Sequence, residues 1–287
     1  MNENKKNFLI ANLGIKSLIA YTAIYIIFII KFYILKLRGR NPRYFFLTHP
    51  VLASQIVYDT LQKKYIQFRI RDEIDYATSQ QIYSSDDYGT SKLKRHSDIQ
   101  LLYKQIVESK LQPLIIDCGG NIGLASKYFS SNYDLAKIIC VEPDFKNIKQ
   151  AKANNISTNI DFLEAAIGPE NGSGTIVDPG LGNNAYRISS ASNGEINIFS
   201  INHLLEKYSK NKYTPFIIKI DIEGFEEDLF SKNLEWVDLF PLLIIELHDW
   251  MLPKSSNSKN FLQAISKLNR DFVYIGENIF SMSNTLL

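Results

Sequence analysis

Carboxylates close several apolar runs in this chain, and the first is followed at once by glycines. Residues 114–123 read LIIDCGGNIG, so Asp117 precedes Gly119, Gly120, Asn121 and Gly123. A run of β-formers that breaks into glycines opens many nucleotide-binding crossovers. A dinucleotide fingerprint would need a glycine where Cys118 stands, and no Gly-Lys-Ser/Thr closes a phosphate loop. An acid at such a turn repels a pyrophosphate and favours an ammonium group. The pattern therefore predicts S-adenosylmethionine, which carries an amino-acid tail and a sulfonium but no phosphate.

Glu142 ends the next apolar run, KIICVE, at about the distance where an acid meets ribose hydroxyls. A carboxylate accepts two hydrogen bonds from a vicinal diol, which suits that place. In IDFLEAAIG (160–168), Glu164 or the Ala165–Ala166 backbone is expected to border the adenine. Further on, Asp221 ends PFIIKID with Glu223 two residues later, and Glu246, His248 and Asp249 cluster at the end of PLLIIELH. Of the four histidines, His248 alone ends a central apolar run. It is a candidate general base beside Asp221, or else a hydrogen-bonded histidine at the rim. Asp221, Glu246 and Asp249 offer an alternative, a magnesium ion that acidifies a substrate diol.

These residues need a scaffold that brings strand ends together. From Leu114 onward, strand-like and helix-like stretches alternate, which predicts a doubly wound parallel sheet with helices on both faces. The continuous apolar runs fit strands buried on both sides, and FVYIGENIFSM (272–282) closes the series. SQIVYDT (54–60) and YIQFRIR (65–71) read as a hairpin around Lys63–Lys64. The stretch 169–200 is rich in Gly, Ser and Asn and too long for an ordinary connection, so short extra strands or a flap are expected. SSDDYG (84–89) reads as part of a lid or as a helix-capping loop.

The chain has 287 residues and a net charge of +2, and nothing in that balance suggests a nucleic-acid surface. Two cysteines are too few for a disulfide framework or a zinc site, and both read as buried thiols. Residues 17–35, SLIAYTAIYIIFIIKFYIL, would make a helix about 28 Å long, near the hydrocarbon thickness of a bilayer. They are read as a single-pass transmembrane helix. Basic residues crowd its C-terminal flank (Lys31, Lys36, Arg38, Arg40, Arg43), which places the catalytic part on the cytoplasmic side. The expected organisation is an anchor over 1–43, a hairpin and lid region over 44–110, and a cofactor-binding domain over 111–287.

IIDCGGNIG, CVEPDFKNIKQAKAN and above all FIIKIDIEGFEEDLF resemble the FkbM-type S-adenosylmethionine-dependent methyltransferases, over about residues 70–250. The resemblance implies a class I, Rossmann-like methyltransferase fold with a seven-stranded, mostly parallel sheet. It also implies transfer to a hydroxyl, often on a sugar or polyketide-like product. Gly120 departs from the alanine common there, and Asn202 from a frequent aspartate. The leading expectation is thus a membrane-anchored O-methyltransferase acting on a glycan or lipid-linked sugar. A nicotinamide-dependent oxidoreductase and a non-catalytic membrane scaffold are the alternatives.

Overall fold

The computed structural model describes residues 15–37, 42–177, 187–190, 194–208 and 212–287. They form two compact units that divide between Asp86 and Asp87.

The smaller unit begins with helix α1 (Ile15–Leu37) and continues into three antiparallel strands, β1 (Tyr44–Phe46), β2 (Ser54–Asp59) and β3 (Lys64–Arg69). β2 and β3 are the hairpin read from the sequence, turning at Lys63 with φ 54°. Alternate residues of β2 are buried, and Phe46, Phe68 and Tyr83 pack as an aromatic core. Helix α2 (Glu73–Ser79) starts at Asp72, whose carboxylate accepts from the N–H groups of Ile74 and Asp75.

α1 runs further at both ends than 17–35. At its middle it touches the sheet's side of the chain: the Tyr25 hydroxyl donates to Leu47 O at 3.4 Å, and Thr22 Oγ1 lies 3.2 Å from His49 Nε2. Several of its side chains lie outside the described set. Among the described residues no helix is long and apolar enough to cross a membrane. The transmembrane assignment therefore finds no support, and mid-helix polar contacts to folded chain are foreign to a segment immersed in hydrocarbon.

The larger unit is built on a seven-stranded sheet of order β13-β14-β12-β11-β4-β5-β6. β4 (Gln112–Cys118), β5 (Lys137–Glu142), β6 (Ile160–Glu164), β11 (Tyr213–Ile220) and β12 (Leu242–Glu246) run parallel. The centres of β4, β5, β11 and β12 are Ile-rich and closed to solvent on both faces, as the apolar runs predict, whereas the edge strand β6 is only partly buried. The last run is not one strand. It folds into β13 (Arg270–Ile275) and β14 (Asn278–Ser283), joined by a two-residue turn at Gly276 (φ +62°), and both pairings of β14 are antiparallel. The sheet is therefore mixed.

Residues 87–110 belong to this unit rather than with the hairpin. Tyr88 packs on Tyr128 and Phe129, and helix α3 (His96–Glu108) lays Tyr103 against Tyr133 and Phe216. The Gly/Ser/Asn-rich stretch does contain extra strands. β7 (Ala166–Gly168), β8 (Gly172–Val177), β9 (Arg187–Ser190) and β10 (Ile196–Ser200) form a separate sheet of order β7-β10-β8-β9. Residues 178–186 and 191–193 of that stretch lie outside the described residues.

Candidate active site

The chain leaves β4 toward β5 and β6 on one side and returns on the other through β11 and β12. β4 and β11 are thus neighbours whose connections diverge, and such a switch point opens a crevice at the strands' carboxyl ends. A cleft of ≈ 550 Å³ lies there. Its walls include Gly119, Asn121, Glu142, Pro143, Asn147, Ala165, Ile167, Asp221, Glu223 and Phe225.

Close approach of backbone explains the first glycine. Gly119 has φ +76°, and a Cβ there would fall 1.7 Å from Asp221 O, while Asp221 N donates to Cys118 O at 3.1 Å. Gly123, at φ +75°, opens helix α4 (Leu124–Asn132). Gly120 answers a different neighbour: a Cβ would meet Cys140 Sγ at 2.2 Å. The thiol fills the space an alanine would need, which accounts for this departure from the family pattern.

Asp117 is fully buried, and it is in register with Lys219 on β11. Ser126 Oγ donates to Asp117 Oδ2 at 2.6 Å, and Lys219 Nζ stands 3.3 Å from Oδ1. The same ammonium donates to Gly119 O at 2.7 Å and lies 3.3 Å from Asp221 Oδ2. Burial opposes the charge on Lys219, but Asp221, Tyr88 and Asp117 outweigh it and hold its pKa well above the ordinary value. Asp117 thus pins the turn from behind. The acids that reach the cleft are Glu142, Asp221 and Glu223.

Glu142 is nearly buried at the end of β5. Its Oε2 accepts from Asn121 N at 2.9 Å, and Oε1 accepts from Asp144 N at 3.0 Å and Asn147 Nδ2 at 3.1 Å. Burial raises its pKa, and these three donors work against the rise. About four lone-pair sites are available on a carboxylate, so one remains for a ligand hydroxyl. Helix α5 (Phe145–Asn154), capped by Asp144, supports the glycine turn from its far end. Asn154 Nδ2 donates to Ile122 O and Asn155 Nδ2 to Gly123 O. Ala165 lines the cleft, whereas Glu164 is exposed beside Glu142 on β6 and is not among its walls.

At the other end, His248 has a side chain only 1% exposed. Glu226 Oε1 lies 2.9 Å from its Nδ1. Nε2 faces Glu223 Oε2 at 3.5 Å, Asp221 Oδ1 at 3.6 Å and Glu246 Oε1 at 3.7 Å. Burial alone would lower the imidazole pKa, but the Glu226 hydrogen bond and the charges of Glu226, Asp221 and Glu223 push it up to about 9. These acids favour the protonated ring as long as no other cation sits beside Nε2. Glu223 and Glu246 are raised, by burial first and by Asp221 next. Asp249 stays outside the group and takes a long contact from Ser258 N at 3.4 Å. Glu223 sits in a turn at φ 55°, ahead of helix α6 (Glu226–Leu229).

Sequence reasoning passed over Lys219, Ser126, Asn147 and Glu226. Both Lys219 and Glu226 lie inside KIDIEGFEE; for Lys219 the available signal was a charge within an apolar strand. Tyr88 of SSDDYG belongs to the larger unit, where it is buried and subject to the charges of Lys219, Asp221 and Asp117.

The family model of the FkbM methyltransferase domain matches residues 117–274, more than half of the chain and all of this site except Tyr88. The chain belongs to the FkbM methyltransferase family. It is accordingly an S-adenosylmethionine-dependent methyltransferase, and the oxidoreductase alternative falls away. No curated protein matches the chain. Among solved structures, similar ones include a protein from Staphylococcus aureus described as a caffeoyl-CoA O-methyltransferase. The two share 12% identity, with 75% of this chain and 93% of that one covered and a TM-score of 0.38. An O-methyltransferase from Bacillus cereus in complex with SAH shares 11% over 75% and 93%, also with a TM-score of 0.38. A Klebsiella pneumoniae protein described as an O-methyltransferase shares 11% over 65% and 80%, with a TM-score of 0.37.

Proposed function

We propose that this FkbM-family enzyme transfers a methyl group from S-adenosylmethionine to a hydroxyl of a glycan or lipid-linked sugar. The observation that carries the reading is the position of Asp221. It lines the cleft with Gly119 and Glu142, and it also borders the carboxylate group around His248. The adenosine lies between Glu142 and the Ala165–Ile167 wall, with a ribose hydroxyl on the free site of Glu142. The sulfonium and the amino-acid tail lie toward Asp221, where negative charge favours both.

In-line displacement then forms the oxygen–methyl bond as the sulfur–methyl bond breaks. The hydroxyl proton passes to a carboxylate of the Asp221 group, and S-adenosylhomocysteine leaves as a neutral thioether. Alignment supplies much of the rate, and the hydroxyl, a poor nucleophile at neutral pH, gains further from the base that takes its proton. Carboxylates suit a polyol acceptor, since each accepts more than one hydroxyl.

The exposed isoleucines of α1 (Ile19, Ile26, Ile27, Ile30 and Ile34) support a second element of the reading, attachment to a bilayer, and the basic residues Lys36, Arg38, Arg40 and Arg43 favour its cytoplasmic side. Mass spectrometry of cell glycans and lipids with active protein and with Asp221→Asn tests the transfer. One acceptor should lack a methyl group in the variant. Bound cofactor with no S-adenosylhomocysteine formed from any acceptor would favour a scaffold instead.

A further inference from the structure

Three carboxylate oxygens converge on one ring nitrogen beside the cleft, and none of them is hydrogen-bonded to it. Contacts of 3.5–3.7 Å from Nε2 to Glu223, Asp221 and Glu246 are too long for hydrogen bonds. Among the described residues nothing donates a hydrogen bond to Asp221 Oδ1, Glu223 Oε2 or Glu246 Oε1. Carboxylates gathered this closely repel one another unless positive charge joins the group.

The geometry points to a divalent-cation site with Asp221, Glu223 and His248 as its ligands, and Glu246 at its border. One donor atom from each of the three lies within 4.8 Å of the others. A cation about 2.1 Å from each donor spaces its ligands about 3–4 Å apart, which the contacts to Nε2 satisfy. Glu226 supplies an independent sign. It holds Nδ1 at 2.9 Å, so a cation that displaces the Nε2 proton meets a lone pair turned toward the carboxylates. A carboxylate behind a ligating histidine is the usual partner of a metal-bound imidazole. Glu226 is itself fully buried, and its Oε2 has no hydrogen-bond partner.

One nitrogen among oxygen donors favours a first-row ion such as Mn²⁺ over Mg²⁺, which prefers oxygen alone. This ligand set differs from the Asp221, Glu246 and Asp249 grouping that the sequence offered as an alternative. Asp221 and Glu223 also line the cofactor cleft, so an acceptor hydroxyl can complete the ion's shell and lose its proton more readily. That role rests on the O-methyl transfer reading; the ion site does not.

Electron paramagnetic resonance tests the site with Mn²⁺ alone, titrated into full-length protein freed of metal by a chelator. Wild type should remove about one equivalent of free Mn²⁺ signal. Glu223→Gln, at a partly exposed position that leaves packing intact, should weaken uptake at least about 10-fold, and Glu226→Gln about 10–100-fold. No uptake by wild type, or equal uptake by Glu223→Gln, overturns the proposal. Calorimetry with S-adenosylmethionine in chelator, run on the same preparation, separates the two readings. Cofactor binding without Mn²⁺ uptake removes the ion and leaves methyl transfer standing. Mn²⁺ uptake that Glu223→Gln abolishes supports the ion whatever the cofactor result.

Discussion

Lys219 Nζ donates to Gly119 O at 2.7 Å and so ties β11 to the turn that ends β4. The ammonium lies between Asp117 and Asp221, 3.3 Å from each, in a place closed to solvent. Two strands separated by a hundred residues therefore share one charge at the mouth of the cleft.

Removing that charge leaves two carboxylates facing each other in low dielectric. Lys219→Met should lower stability by about 3–5 kcal/mol, the usual loss when one partner of a buried ion pair is deleted. Urea unfolding monitored by circular dichroism measures it. A loss under about 1 kcal/mol, the scale of an exposed pair, would contradict the arrangement.

Gly120 and Cys140 share one volume. Gly120→Ala should destabilise by about 1–3 kcal/mol through overpacking against Sγ. Adding Cys140→Ala should return much of that loss. Thermal melts of the four proteins in the cycle read the coupling directly. Additive effects would show that the thiol and the glycine are unrelated.

Both thiols are fully buried, and burial, with the charge of Asp117 next, raises their pKa values above the ordinary range. An acid whose folded pKa is raised stays protonated as pH climbs, so neither thiol becomes nucleophilic at pH 8. A disulfide exchange reagent should find no fast-reacting thiol in native protein at that pH and both in guanidinium. Rapid reaction of either in the native state would place it outside the core.

Glu142 has one acceptor site left after Asn121, Asp144 and Asn147. Glu142→Gln should weaken S-adenosylmethionine binding about 10–100-fold, the cost of a lost charged hydrogen bond together with a loosened turn. Isothermal titration against wild type gives the ratio. Unchanged affinity would move the ribose elsewhere.

Much of the larger unit was legible because parallel strands buried on both faces leave continuous apolar runs, and each run ends at a chemical residue. Asp117, Glu142 and Asp221 were readable for that reason. The closing hairpin was not, since Gly276 and Glu277 interrupt its apolar run too briefly to mark a reversal. The role of Asp117 was misjudged for a similar cause. Its partner Lys219 is adjacent only across strands, and register cannot be seen along one chain. His248 stood out as a lone histidine at a strand end, yet what decides its protonation is Glu226, twenty-two residues earlier on another element. The apolar N-terminal run predicted a helix correctly, but its mid-helix contacts with Leu47 and His49 carry no sequence signal.

The central claim is that this cleft takes an adenosyl sulfonium with an amino-acid tail. Isothermal titration calorimetry of the purified chain with S-adenosylmethionine, NAD and ATP in turn tests it most directly. Stoichiometric heat is expected from S-adenosylmethionine and none above dilution from the two phosphate-bearing ligands. Saturable heat from NAD or ATP, with none from S-adenosylmethionine, would contradict it.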